Sequence, residues 1–270
     1  MRGYRYLQAF AALSVSGTAL ASTADDLPLI EAAVRSGRLV QAQTMLERLP
    51  ADMPQTRELA VIRAQLTLAQ GQYAEAEQAF IALAGEEGGD CRVVAGLGAS
   101  AVAREHADRA IAYMEKAVEK CLPDWRIWSG LGRAYDLRAR WSDSGLAYNR
   151  AITIGGRAPA LLNDLAVSLL KQRRYAEAKA LLEQAFAADP ANLRFANNLD
   201  IAAAAMGEQP VRRKTDNAAR WAERLSNAGY AALLAGRRGD ARAWLSQSVA
   251  AAPIYPEKTA KILASLGSTQ

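Results

Sequence analysis

Few residues in this 270-residue sequence have the types and spacing that chemistry needs, and they fall into two groups. The first holds the reactive side chains: two cysteines, Cys91 and Cys121, and a single histidine, His106. Acid–base catalysis needs a histidine or carboxylate with an orienting partner, and zinc needs ligands clustered at short spacings; neither pattern accompanies His106, which is expected in an exposed turn. Gly96-Leu97-Gly98 looks like a fragment of a phosphate loop, but no strand precedes it. The chain is therefore read as non-enzymatic, without cofactor or metal. The second group can hold another chain. Asn163, Asn197, Asn198 and Asn227 each carry an amide that both donates to and accepts from an extended backbone; Arg126, Arg133, Lys171 and Arg194 attract carboxylates; Ser129 and Tyr230 add hydroxyls. Side chains of this kind hold peptides when a scaffold lines them up.

The scaffold is legible at residues 128–151, WSGLGRAYDLRARWSDSGLAYNRA. Trp128, Leu131, Gly132 and Tyr135, then Tyr148 and Ala151, recur at steps of three and four, which return a side chain to one face of a helix. Two helices broken near Ala139-Arg140 make a hairpin. Stepping by 34 residues, the period of tetratricopeptide arrays, finds the pattern again in units beginning near 23, 57, 91, 125, 159 and 193. Leu162, Leu165, Ala166 and Leu169 repeat it, as do Val94, Leu97, Gly98 and Ala101. Small residues at the eighth, twentieth and twenty-seventh places let helices approach, larger ones fill the spaces between, and proline ends each unit. Gly132, Tyr148 and Ala151 are thus structural. The predicted fold is all-α, a superhelical solenoid of antiparallel helix pairs.

The array covers 22–206. Residues 207–221 are read as an irregular linker with a shortened sixth unit, because EQPVRRKTDN is too polar and proline-broken for a second helix; Arg212-Arg213-Lys214 is read as a solvated loop. A last unit spans 222–254, and YPEKTAKILASL begins a capping helix and tail over 255–270. The first helix of each unit lines a concave groove, with the second, fifth, sixth, ninth, twelfth and thirteenth places facing inward. Ala95, Ala99, Val102 and Ala103 make that groove apolar early, and it is expected to be polar from Arg126 onward, where Asp136, Asp164 and Ser226 join the ten residues above. Cys91 opens one helix and Cys121 ends the next, so an antiparallel hairpin brings them to the same end and makes a disulfide geometrically possible.

Residues 1–21 read as a cleaved secretory signal: Arg2 and Arg5, an apolar stretch, then Ala19-Leu20-Ala21. Cleavage would lower the formal net charge from +5 to +3, leaving no basic run to bind nucleic acid and no integral membrane segment. The compartment expected is the periplasm, which would also let a disulfide persist.

Residues 90–253 resemble the TadD family of tight-adherence (Flp) pilus assembly proteins, most specifically in NDLAVSLL and ANNLDIAAAA. The resemblance implies a non-enzymatic periplasmic or outer-membrane-associated factor whose protein partner is a pilus or secretin component. An adaptor or chaperone for an envelope or cell-wall enzyme is the alternative. This chain lacks the lipid-attachment cysteine common in that family.

Overall fold

The computed structural model describes residues 26–85 and 89–267; the signal expected over 1–21 lies outside them. Among the described residues there are 14 α-helices and no strand. The chain forms two compact units divided between Gln72 and Tyr73, inside the array read from the sequence as continuous. In the first, α1 (Leu27–Arg35), α2 (Leu39–Glu47) and α3 (Arg57–Ala69) bury Leu27, Ile30, Ala42, Leu46, Leu59 and Ile62 against one another. The second comprises α4 (Tyr73–Ala84), α5 (Cys91–Ala103), α6 (Ala107–Lys120), α7 (Trp125–Asp136), α8 (Trp141–Gly155), α9 (Pro159–Lys171), α10 (Tyr175–Ala188), α11 (Leu193–Ala205), α12 (Ala218–Leu234), α13 (Arg238–Ala251) and α14 (Glu257–Gly267). Within it α5 pairs with α6, α7 with α8, α9 with α10 and α12 with α13, while α6 meets α7 and α10 meets α11, so each pair also packs on the next.

Local chemistry explains why the helices begin and stop where they do. Four of the first helices, α5, α7, α11 and α12, start behind a polar cap: the Asp90, Asp124, Asn192 and Asn217 side chains accept from backbone N–H groups of Val93, Arg126, Arg194 and Arg220, satisfying donors that the first turn leaves unpaired. Their ends share one device. The fifteenth residue of every unit adopts positive φ, whether glycine (37, 71, 207, 236) or not (Glu105, Ala139, Arg173). The next residue's N–H then reaches back five residues, as in His106 to Ala101 O at 2.9 Å and Arg140 to Tyr135 O at 3.1 Å, the bond that closes a helix through a left-handed residue. Where that sixteenth residue is arginine it also clamps the start of the second helix, as in Arg140–Asp143 (2.7 Å) and Arg174–Glu177 (2.6 Å).

Packing follows the small-residue pattern. Tyr148 is fully buried, and a Cβ at Gly132 would lie 2.9 Å from its ring. Cys91 and Cys121 form a disulfide, with α-carbons 5.1 Å apart, that ties the start of α5 to the end of α6. His106 differs from expectation: it is half-buried at the start of α6, with its Nδ1 buried and without a hydrogen-bond partner among the described residues. The loop between α11 and α12 differs too. Arg213 is no solvated cation; its guanidinium donates to both oxygens of Asp200 at 2.9 Å and to Ala196 O at 3.2 Å. Buried Arg224 bridges Asp200 (2.8 Å) and Asp216, whose carboxylate also accepts from the Arg213 N–H. These ion pairs pin a segment whose polarity suggests freedom, and they let α12 start at Ala218 and run for 17 residues.

Candidate partner-binding cleft

In the second unit, the inner residues of α5, α7, α9 and α11 surround a cleft of about 410 Å³. Its floor is a hydrogen-bonded polar layer. Asp136, 6% exposed, accepts from Ser144 (2.5 Å) and Ser168 (2.8 Å) on one oxygen and from the Tyr148 hydroxyl (3.2 Å) on the other. Burial, then the charges of Asp136 and Asp164, hold the Tyr148 hydroxyl well above the ordinary tyrosine range, so it stays protonated and keeps donating. A second chain of bonds links successive repeats: Ser129 on α7 donates to Asp164 on α9 at 3.0 Å, and Asn198 on α11 donates to Asn163 on α9 at 2.8 Å. In both, the fifth place of one unit meets the sixth place of the next. Ser129 and Asn163, read as groove donors, are 2% and 1% exposed and are committed to holding the repeats in register.

Three cations stand above this floor. Arg133, Lys171 and Arg194 line the cleft, are exposed, and form no ion pair among the described residues. That distinguishes them from Arg104, Arg138, Arg174, Arg213 and Arg224, each of which meets a carboxylate. Three acids line the cleft with them: Asp136 and Asp164 are occupied by hydroxyl and amide donors from within the fold, and Glu105 forms no ion pair with the three cations among the described residues. Arg194 lies 5.6 Å from the Phe195 ring centroid, a contact that orients a guanidinium without consuming its donors. Asn198 completes the set.

Other residues read as part of one groove sit elsewhere. Arg126 lies over the Trp125 ring at 4.5 Å and 3.7 Å from Asp124, away from the cleft lining. Asn197 is half-buried and does not line it either. Asn227 belongs to a separate 300 Å³ hollow beside α13 and α14, and Tyr230 is half exposed outside both. The groove is also not polar throughout its later part. A neighbouring cleft of about 340 Å³ is lined by Leu170, Tyr175, Ile201, Ala205, Ala231 and Leu234, with Lys171 shared between the two clefts and Arg173 at its margin. Position in the repeat foretells which way a residue faces, but only a polar residue at the fifth place followed by another at the next unit's sixth would have signalled that the pair bond each other. Among the described residues no three His, Cys, Asp or Glu side chains gather as a metal site, and no helix is long and apolar enough to cross a membrane.

The tetratricopeptide-repeat family model matches residues 27–90 and 96–159. A 95-residue stretch is 34% identical to the cytochrome c-type biogenesis protein CycH of Pseudomonas aeruginosa, covering 34% of this chain and 23% of that protein. Among solved structures, the APC/C hetero-tetramer Cut9–Hcn1 superposes with a TM-score of 0.62 at 13% identity, covering 93% of this chain and 51% of that one. A tetratricopeptide repeat protein from Parabacteroides merdae superposes with a TM-score of 0.52 at 12% identity, covering 90% and 98%. The chain thus spans less than a quarter of the curated relative and about half of the first structural neighbour. At such identities the structural likeness speaks to fold alone. First helices that recur every 34 residues from α3 to α11, matched repeats at 27–90 and 96–159, and solved neighbours of the same build together show that the chain has the fold of a tetratricopeptide-repeat solenoid.

Proposed function

We propose that this protein is a non-enzymatic periplasmic scaffold that holds an acidic segment of a protein partner in the cleft between α5 and α11. One observation carries the reading: Arg133, Lys171 and Arg194 converge on one concave site and form no ion pair among the described residues, whereas Arg104, Arg138, Arg174, Arg213 and Arg224 each meet a carboxylate. A cation kept unpaired over a rigid floor is available to an incoming carboxylate, and a charge-assisted pair formed in a partly enclosed cleft is stronger than one on open surface. The asparagines take a smaller part than their sequence positions suggest: Asn198 lines the cleft, and Asn163 serves the floor.

The resemblance of residues 90–253 to the TadD family supports a partner in a Flp-type pilus or secretion machine. A second reading, an adaptor for an envelope maturation system, is favoured by the 34% identity with CycH over 95 residues. Deleting the gene in its native host separates them. Loss of surface pili with a normal content of c-type cytochromes supports the first, the converse supports the second, and no change in either refutes both. Complementing the deletion with a chain carrying R133A, K171A and R194A then tests the cleft: restored function by this variant, at wild-type abundance, would remove the cleft from the account.

A further inference from the structure

The loop between α11 and α12 has no role in the reading above. Helix α11 is a first helix with no second helix behind it, and residues 206–217 stand in that place. The loop leaves α11 beside α10, where Glu208 accepts from Lys179 at 2.6 Å, so it continues the outer row of second helices on the side away from the cleft. The Asp216 N–H donates to Arg213 O at 3.0 Å and the Arg213 N–H to the Asp216 carboxylate at 2.9 Å, closing a tight turn with Lys214 and Thr215 at its tip. The Arg213 guanidinium turns inward to Asp200, while its neighbours Arg212 and Lys214 are exposed. Every exposed charge from 209 to 222 is then cationic: Arg212, Lys214 and Arg220, none of which forms an ion pair among the described residues. The acid in that span, Asp216, is buried against Arg224. Val211, 74% exposed, sits beside them between Pro210 and Arg212.

The shape and chemistry of the loop say what surface it fits. None of the clefts described above is lined by residues 207–217, so the loop meets a partner as a projection rather than a pocket. Cations around an exposed aliphatic side chain match a layer that is anionic at its face and apolar just beneath, which is the build of a phospholipid interface. An acidic protein surface would pair the cations and give Val211 nothing to enter. We propose that this loop rests on anionic phospholipid headgroups, with Arg212, Lys214 and Arg220 at the phosphate level and Val211 entering the boundary of the acyl layer. The contact lies outside the cleft and does not depend on it, so the protein can hold a partner segment and a bilayer surface together. Each cation near such a surface is worth roughly fivefold in binding, and the three together on the order of a hundredfold. One loop of this strength gives reversible association rather than an anchor. Because the turn is already fixed by Arg213, Asp200 and Asp216, little ordering is lost on contact.

Vesicle flotation tests this on the chain from residue 22 onward, which keeps every described helix and leaves out the apolar stretch within 1–21. Phosphatidylcholine vesicles containing phosphatidylglycerol should carry the protein upward; vesicles of phosphatidylcholine alone, or the mixed vesicles in high salt, should not. Replacing Arg212, Lys214 and Arg220 together by alanine should weaken binding on the order of a hundredfold with the same helical circular dichroism, and R212K with R220K should bind as the parent does. V211S should weaken binding roughly tenfold. A charge-matched variant carrying R157A, R242A and K258A, exposed cations elsewhere, should keep the parent's binding. No flotation with the anionic vesicles, flotation that the loop alanines leave unchanged, or an equal loss from the charge-matched variant would overturn the proposal. Parent-like binding by V211S would overturn the entry of Val211 into the bilayer.

Discussion

The turn between the two helices of each repeat makes a quantitative prediction, because seven turns use the same left-handed residue and only four supply glycine. At Ala139, with φ of 53° and an exposed side chain, the Cβ crowds the following carbonyl, which costs an L-residue about 1–2 kcal/mol. Glycine removes that strain but loses more chain entropy on folding, about 0.5–1 kcal/mol. Ala139→Gly should therefore stabilise the second unit by about 0.5–1 kcal/mol. Gly236 is the mirror case: it holds the same place with φ of 83°, and an added Cβ meets nothing within 4 Å, so Gly236→Ala adds backbone strain without a steric clash. It should destabilise by about 1 kcal/mol. For a unit of this size 1 kcal/mol moves the melting temperature by about 2–4 °C, so the pair should diverge by several degrees in opposite directions in thermal denaturation followed by circular dichroism. Movement of both variants in the same direction, or a neutral Gly236→Ala, would refute the argument that these turns end the helices through a left-handed residue.

Three further outcomes follow from the packing. Removing the Cys91–Cys121 bridge by replacing both cysteines with alanine should cost about 3–4 kcal/mol, the chain-entropy value for a loop closed over 30 residues, and thiol titration of denatured, unreduced protein should find no free thiol. Arg224→Ala should cost about 3–5 kcal/mol by leaving Asp200 and Asp216 without their shared buried cation, and limited proteolysis should then cut within residues 207–217. Tyr148→Phe should cost about 1–3 kcal/mol at neutral pH by removing a donor to buried Asp136. Two tyrosines also set an alkaline limit: burial, reinforced by Glu115, raises Tyr135 to about 12, and burial raises Tyr148 well above its ordinary value. Both are held protonated in the folded chain, so their contribution is complete below about pH 10 and is lost as pH rises through the folded values. Urea melts between pH 8 and 11 should show this decline, and Tyr148→Phe should make it shallower.

The helix pairs were legible in the sequence because their spacing is a packing requirement: Gly132 must be small to receive the ring of Tyr148, and the same need returns every 34 residues. The disulfide was legible for a related reason, since an antiparallel hairpin fixes which ends meet. What the cleft does with its polar residues was not. Asn163 and Arg133 share the same inner face, yet one is buried against Asn198 and the other stands free over the floor, a difference set by neighbours 35 residues away rather than by periodicity. Arg213 was misread for the same cause: its partner Asp200 lies across a loop and shares its carboxylate with Arg224 on the next helix. His106, expected in an exposed turn, is half-buried at the start of α6. The apolar hollow was missed because its wall draws on α9, α11 and α12, and the loop between the last two breaks the repeat phase.

The central claim is that the inner face of the second unit is where a partner is held. Photo-crosslinking in the native host tests it most directly, with benzoylphenylalanine placed either at Val167, which lines the cationic cleft, or at Leu146, which is 67% exposed on α8 and lies outside it. The account predicts a discrete crosslinked protein from position 167 that disappears when Arg133 and Arg194 are also replaced by alanine, and none from position 146. The same product from position 146, or from position 167 with the arginines gone, would contradict it.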